Sequence, residues 1–221
     1  TLSAGGDAEV LITAQVSEDF FSLMRVAPAV GRTFSADETR VLTKAVPELY
    51  SRREAYNVRE KGSDAVRTSF AAHLISAPFA RLARHPRMVR PVMDLLDEEL
   101  YMHQFKVNGK MAFEGDVWQW HQDYGTWLND DLMPTERAMN VAIFLDDVTE
   151  HNGPLVFIRG SHREGPVRTT LDTETTSYAL WTVDNETVAR LAGAGGLVTA
   201  AGVAGTALIF GDCLVHGSPP N

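Results

Sequence analysis

The sequence predicts a mostly β protein with flanking helices, whose strands form a double-sheet jelly roll. Two textures carry that expectation. Apolar residues in the first third recur at helical spacing, whereas from about Leu100 they alternate or run in short continuous stretches. Turn-forming residues separate those stretches at Asn108-Gly109, Asn152-Gly153-Pro154 and Gly211-Asp212. A helical lead-in followed by many short strands fits helices packed outside two facing sheets.

The elements follow in order. Ser35 to Glu38 has the form of a capping box, in which the hydroxyl accepts a backbone N–H and the carboxylate reaches back to the cap. Val41, Leu42, Ala45 and Val46 then fall on one helical face until Pro47 interrupts. A second helix is expected from near Pro78, with Phe79, Leu82 and Ala83 inward. A third runs from Pro86 through Leu96, with His85-Pro86 as punctuation. Tyr101 to Val107 has strand alternation, and Trp118 to His121 begins another extended stretch. Met139–Leu145 and Leu155–Ile158 read as apolar strands, and 184–194 as a helix capped by Asp184. Ala207–Phe210 and Cys213–Val215 read as the last strands.

Composition narrows the function. The 221 residues carry 20 Lys+Arg against 29 Asp+Glu, a net charge of -9. That field repels phosphate backbones and anionic lipids, so neither nucleic acid nor a membrane is expected as a partner. No apolar run approaches the roughly 20 residues of a spanning helix, and no signal peptide opens the chain. Cys213 is the single cysteine. An intramolecular disulfide is impossible, a cytoplasmic location is expected, and any metal site must use His, Asp and Glu.

Of the seven histidines, His73 and His85 lie in Arg-rich helical settings and read as structural. His121-Gln122-Asp123 reads differently. On an extended backbone, residues two apart point to one side, so imidazole and carboxylate face one place. Trp118, Trp120, Tyr124 and Trp127 surround the motif in sequence, which suits a dry metal site. The plainer alternative is an aromatic core in which His121 and Asp123 merely pair. Against it stands His216, on a late strand before Gly217-Ser218. An early H-x-D and a distal His have the layout of the 2-His-1-carboxylate triad, which holds one face of Fe(II) and leaves three positions open.

Trp120 to Tyr124 with Trp127, Asn140 to Asp146, Asn152 to Leu155, Gly160-Ser161-His162 and His216 to Ser218 together resemble the phytanoyl-CoA dioxygenase superfamily. Tyr101 to Asn108 and Gly115 to Trp127 are most similar to bacterial free-amino-acid hydroxylases, the trans-4-proline and leucine 5-hydroxylases; ectoine hydroxylases are more distant. The resemblance runs from about Phe34 to Asn221. It implies a double-stranded β-helix (cupin-like) core, with His121, Asp123 and His216 as ligands of Fe(II), and with 2-oxoglutarate and O2 as cosubstrates. It further implies that Ser218 and Lys106 contact 2-oxoglutarate and that Gln104, Tyr124 and Trp127 line the substrate pocket. A solvated strand lysine is the plainer alternative for Lys106. The activity implied is hydroxylation of a free L-amino acid, proline favoured at the trans-4 position, by a monomer or homodimer. Leucine, ectoine or another small natural-product precursor are the alternative substrates. A non-catalytic cupin-like binding protein is the alternative from another class. A halogenase of the same fold is disfavoured because Asp123 fills the place that such chemistry leaves to chloride.

Three departures accompany the resemblance. The family's arginine for the far carboxylate of 2-oxoglutarate, a bidentate fork that Ser cannot replace, belongs about ten residues past His216, beyond Asn221. The natural product is therefore expected to be longer at the C-terminus. The stretch from Gly165 to Tyr178 is shorter than the family loop that covers the pocket. Residues 1–33 lack the customary Asp-Gly-Tyr opening and form an N-terminal segment of uncertain role, set apart from an oxygenase domain at 34–221.

Overall fold

The computed structural model describes residues 34–221, so the segment 1–33 lies outside the described residues. Helix α1 (Ala36–Thr43) starts on the expected capping box: the Ser35 N–H donates to Glu38 Oε2 (2.8 Å), and the Glu38 N–H donates to Ser35 Oγ (3.3 Å). Helix α2 (Val46–Ser51) carries Pro47 in its first turn, where a missing N–H costs nothing. After strands β1 (Asn57–Arg59) and β2 (Val66–Phe70) come α3 (Ala72–Ile75), α4 (Ala77–Ala83) and α5 (Pro86–Leu96). His85 caps α5 by accepting the Arg87 N–H at Nδ1 (3.2 Å).

The strand region differs from expectation at two places. Tyr101 to Phe105 is irregular and largely exposed, and β3 covers only Lys106–Asn108, the part that finds a partner in β2. Alternation there marks sides without a ladder to use them. Cys213–Val215 is a turn, and the strand lies three residues later. The chain needs those residues to reverse after β10 (Ala207–Gly211), so β11 is His216–Ser218. Between them lie β4 (Trp118–His121), α6 (Asp123–Asp131), β5 (Met139–Ile143), β6 (Leu155–Ile158), β7 (Thr169–Asp172), β8 (Leu180–Val183), α7 (Asn185–Gly195) and β9 (Leu197–Ala200). Helix α7 begins on Asp184, which accepts the Thr187 N–H (2.9 Å).

Every strand pairing is antiparallel. The four-stranded sheet runs β4-β11-β6-β9, so β11 enters between strands formed much earlier in the chain. Strands β5 and β10 pair separately, and Phe210 of β10 meets Phe157 of β6 at 5.0 Å between ring centroids. Phe144, Phe157, Ala200, Leu208, Phe210 and Leu214 fill that inter-sheet layer. Helices α1, α2 and α4 bury Leu42, Leu49, Phe79 and Leu82 against Val107 of the β1-β2-β3 sheet. The result is a jelly-roll core with helices outside it. The stretch from Gly165 to Tyr178 contains β7 and the turn that leads to its antiparallel partner β8.

A buried charge pair ties the small sheet to the large one. Arg67, fully buried on β2, lies 3.1 Å from Glu60, donates to the Val117 carbonyl (2.6 Å) and covers the Trp118 ring at 4.0 Å. Glu60 also accepts from the Asp116 N–H (3.1 Å) and from the Ser177 hydroxyl. Removing one partner strands the other charge in an apolar setting. Arg67→Leu is expected to lower unfolding stability by about 3–5 kcal/mol in urea denaturation, and wild-type stability would refute this account of the pair.

Candidate metal centre

Three elements build the centre. His121 ends β4, and its backbone pairs with His216 on β11. Asp123 does not continue the strand: Gln122 is extended (φ -110°, ψ 133°) and Asp123 opens α6. The two residues therefore share a centre through a strand-to-helix corner, not through strand alternation. Gln122, fully buried, fixes that corner. Its Nε2 donates to the carbonyls of Cys213 (2.6 Å) and Gly165 (3.0 Å), and its Oε1 accepts the Val167 N–H (2.9 Å). The Tyr124 N–H donates to the Asp212 carbonyl (3.1 Å), which ties the start of α6 to the turn before His216.

The imidazoles are oriented alike. His121 Nδ1 is 2.7 Å from the Gln119 carbonyl oxygen, and His216 Nδ1 is 2.8 Å from that of Leu214. A carbonyl only accepts, so each Nδ1 carries the proton and each Nε2 turns a lone pair inward. His121 Nε2 lies 3.9 Å from Asp123 Oδ1, and His216 Nε2 lies 3.6 Å from Asp123 Oδ2. These separations are too long for hydrogen bonds. Yet the ligand atoms of all three residues lie within 4.8 Å of one another. Atoms each about 2.1 Å from one ion are spaced on this scale. The donor set, two imidazoles and a carboxylate, therefore fits a divalent first-row metal.

Electrostatics agree. Burial, with His216 beside it, pushes His121 down to about 3, so the ring is neutral at physiological pH. Burial pushes the Asp123 carboxyl up, but His216, His121, Lys106 and the Asn140 amide together hold it below its ordinary value. Among the four aromatics expected around the motif, Trp118 stands near His121 (6.4 Å between centroids). Trp120 packs with Ile158 and Val215. Sequence reasoning missed Phe157 and Phe210, whose rings lie 5.8 and 5.1 Å from His216. It also gave no role to Asn140, whose Nδ2 donates to Asp123 Oδ2 (3.0 Å).

The remaining sequence candidates distribute as follows. Lys106 is half-buried on β3. Burial lowers its pKa, while Asp123 and Asp131 pull it up. Among the described residues its ammonium makes no hydrogen bond or ion pair. Ser218, buried, donates to the Gly153 carbonyl (2.9 Å). Gly217, between His216 and Ser218, has no room for a side chain: a Cβ would lie 2.9 Å from the Trp118 carbonyl oxygen. Gln104 is exposed. Tyr124 and Trp127 are buried with Met133 and Cys213, and the Trp127 ring meets His103 at 5.3 Å.

Comparison with known proteins follows the same lines. The family model described as phytanoyl-CoA dioxygenase matches residues 29–221. L-proline trans-4-hydroxylase of Streptomyces griseoviridis is 38% identical over 199 residues, covering 86% of this chain and 74% of that protein. Ectoine dioxygenase of Sphingopyxis alaskensis is 37% identical over 200 residues, covering 85% of this chain and 65% of the relative. The crystal structure of EctD from S. alaskensis with 2-oxoglutarate and 5-hydroxyectoine superposes with a TM-score of 0.74 at 36% identity, over 85% of this chain and 64% of that one. The same protein has also been solved with bound Fe. The chain thus spans between 52% and 68% of the length of the ectoine dioxygenases it matches. It belongs to the phytanoyl-CoA dioxygenase family.

Asp212 makes the scaffold of this centre sensitive to pH. Its Oδ2 accepts the Ala138 N–H (3.1 Å), and burial raises the carboxyl from 3.8 to about 6. Between these values the native protein keeps a proton that the unfolded chain has released. The group's contribution is therefore complete below the unfolded value and is lost as pH rises through the native one. Wild-type Tm is expected to fall between pH 5 and pH 8 by more than that of Asp212→Asn; parallel calorimetric profiles would contradict it.

Proposed function

We propose that this member of the phytanoyl-CoA dioxygenase family is an Fe(II)- and 2-oxoglutarate-dependent hydroxylase of a small free amino acid or amino-acid derivative. The observation that carries this reading is the convergence of His121, Asp123 and His216 without hydrogen bonds among them. Residues 34–221 are the oxygenase domain. Iron held there, with O2 and 2-oxoglutarate, supplies oxidation of a C–H bond to C–OH coupled to decarboxylation of 2-oxoglutarate to succinate. His121, Asp123 and His216 would hold the metal, and a three-residue donor set would leave room for ligands from solution.

The chain's other residues bind, orient and exclude water. The Lys106 ammonium, 5.5 Å from the Phe70 ring centroid, supplies a counter-charge for a carboxylate, and the Ser218 hydroxyl on β11 offers acceptor lone pairs and a donor that can turn from Gly153. Both suit 2-oxoglutarate. Phe157, Phe210 and Trp118 keep the imidazoles out of water. Gln104, Tyr124 and Trp127 are assigned to the substrate side. Proline hydroxylated at the trans-4 position is the first substrate reading, supported by the identity to the proline hydroxylase over most of that enzyme. Ectoine is the second and stands equally well, supported by the EctD likeness. The lone buried Cys213 suits a reducing cytoplasm.

Anaerobic addition of Fe(II) and 2-oxoglutarate is expected to give a weak visible charge-transfer band. Free L-amino acids and ectoine, scored by mass spectrometry, are expected to yield one product gaining one oxygen with matching succinate. Asp123→Ala is expected to cut that yield to below about one hundredth, more than the loss of an outer-shell partner costs. Hydroxylation by this variant at the wild-type rate would end the assignment, and absence of the band in the wild type would favour a binding protein.

A further inference from the structure

We propose that Asn140 is a positioning residue that holds the Asp123 carboxylate to coordination through one oxygen. This rests on the oxygenase reading above and gives a role to Asn140, which opens one of the stretches that carry the family resemblance but has no function assigned there. Asn140 Nδ2 lies 3.0 Å from Asp123 Oδ2. An ionised carboxylate has only acceptors, so the amide presents its NH2 group to it. That bond engages Oδ2 and leaves Oδ1, on the His121 side, as the free donor. A carboxylate that swung to chelate through both oxygens would fill a position that the cosubstrates require.

The fold gives Asn140 the rigidity this task needs. It sits inside β5 directly opposite Phe210 of β10. Residues directly opposite in an antiparallel pair share a face. One face of one sheet thus places Phe210 against His216 and Asn140 against Asp123. The start of β5 is pinned as well: the Ala138 N–H donates to Asp212 Oδ2 (3.1 Å), and the Asp212 N–H donates to the Ala138 carbonyl (3.1 Å). The rest of the strand is Met139, Val141, Ala142 and Ile143. An amide in such a strand costs free energy unless it is bonded, and the bond it makes is to a metal ligand.

Asn140→Ala and Asn140→Leu both remove the donor, the second with little change of volume. The readouts are the Tm of each apoprotein, the Tm rise caused by Fe(II) under anaerobic conditions, and the visible band formed with 2-oxoglutarate. Apoprotein midpoints are expected to stay within about 4 °C of wild type. Fe(II) affinity is expected to fall about 10–100-fold, and the band to weaken or shift. Wild-type affinity and an unchanged band in both variants would overturn the proposal. So would a loss of metal affinity that only parallels a loss of apoprotein stability, since that marks a structural strut. If the wild type itself binds no Fe(II), the oxygenase reading falls, and this inference with it.

Discussion

The imidazoles of His121 and His216 and the carboxylate of Asp123 are held together away from water, each Nε2 3.6 to 3.9 Å from a carboxylate oxygen, and make no hydrogen bonds to one another. Buried polar groups left in that condition are costly, and much of the surrounding architecture serves to keep them there. Backbone carbonyls of Gln119 and Leu214 take the outer ring protons, so both Nε2 atoms face inward. The side chain of Gln122 and the backbone of Asp212 join the two segments that carry the ligands. The Asn140 amide meets the acid from the facing strand pair.

The same constraint accounts for features with no chemistry of their own. Gly217 lets β11 approach β4 closely enough for His216 to stand opposite His121. Arg67 and Glu60, buried together, anchor the chain just before Trp118 and so fix where β4 starts. Each is expensive in isolation: a glycine weakens a strand, and an ion pair in the core costs desolvation. Gly217 within β11 and the Arg67 contact to Val117, just before β4, tie both costs to where His121 and His216 stand.

Much of this was legible in the sequence. The capping box at Ser35, the Asp184 cap, the helices at Pro78 and Pro86 and the strand 155–158 depend on local chemistry and appear where that chemistry puts them. The H-x-D pair with a distal histidine singled out His121, Asp123 and His216, and their side-chain donor atoms lie within 4.8 Å of one another. What escaped depended on tertiary partners. Alternation at Tyr101 to Phe105 could not reveal that, among the described residues, no strand pairs with it. The strand-to-helix corner at Gln122 is set by hydrogen bonds to residues 165, 167 and 213. Asn140 opened one of the stretches that carry the family resemblance, but its partner, the Asp123 carboxylate, is visible only in the fold.

The insertion of β11 between β4 and β6 bears on how the molecule comes to be built. Contacts between residues so far apart along the polypeptide close large loops, and chains dominated by them fold slowly. His121 on β4 and Asp123 on α6 meet His216 only once β11 has taken its slot between β4 and β6. Before that moment a cation would find at most two of the three side chains together. Three-point binding there would therefore require β11 to be docked.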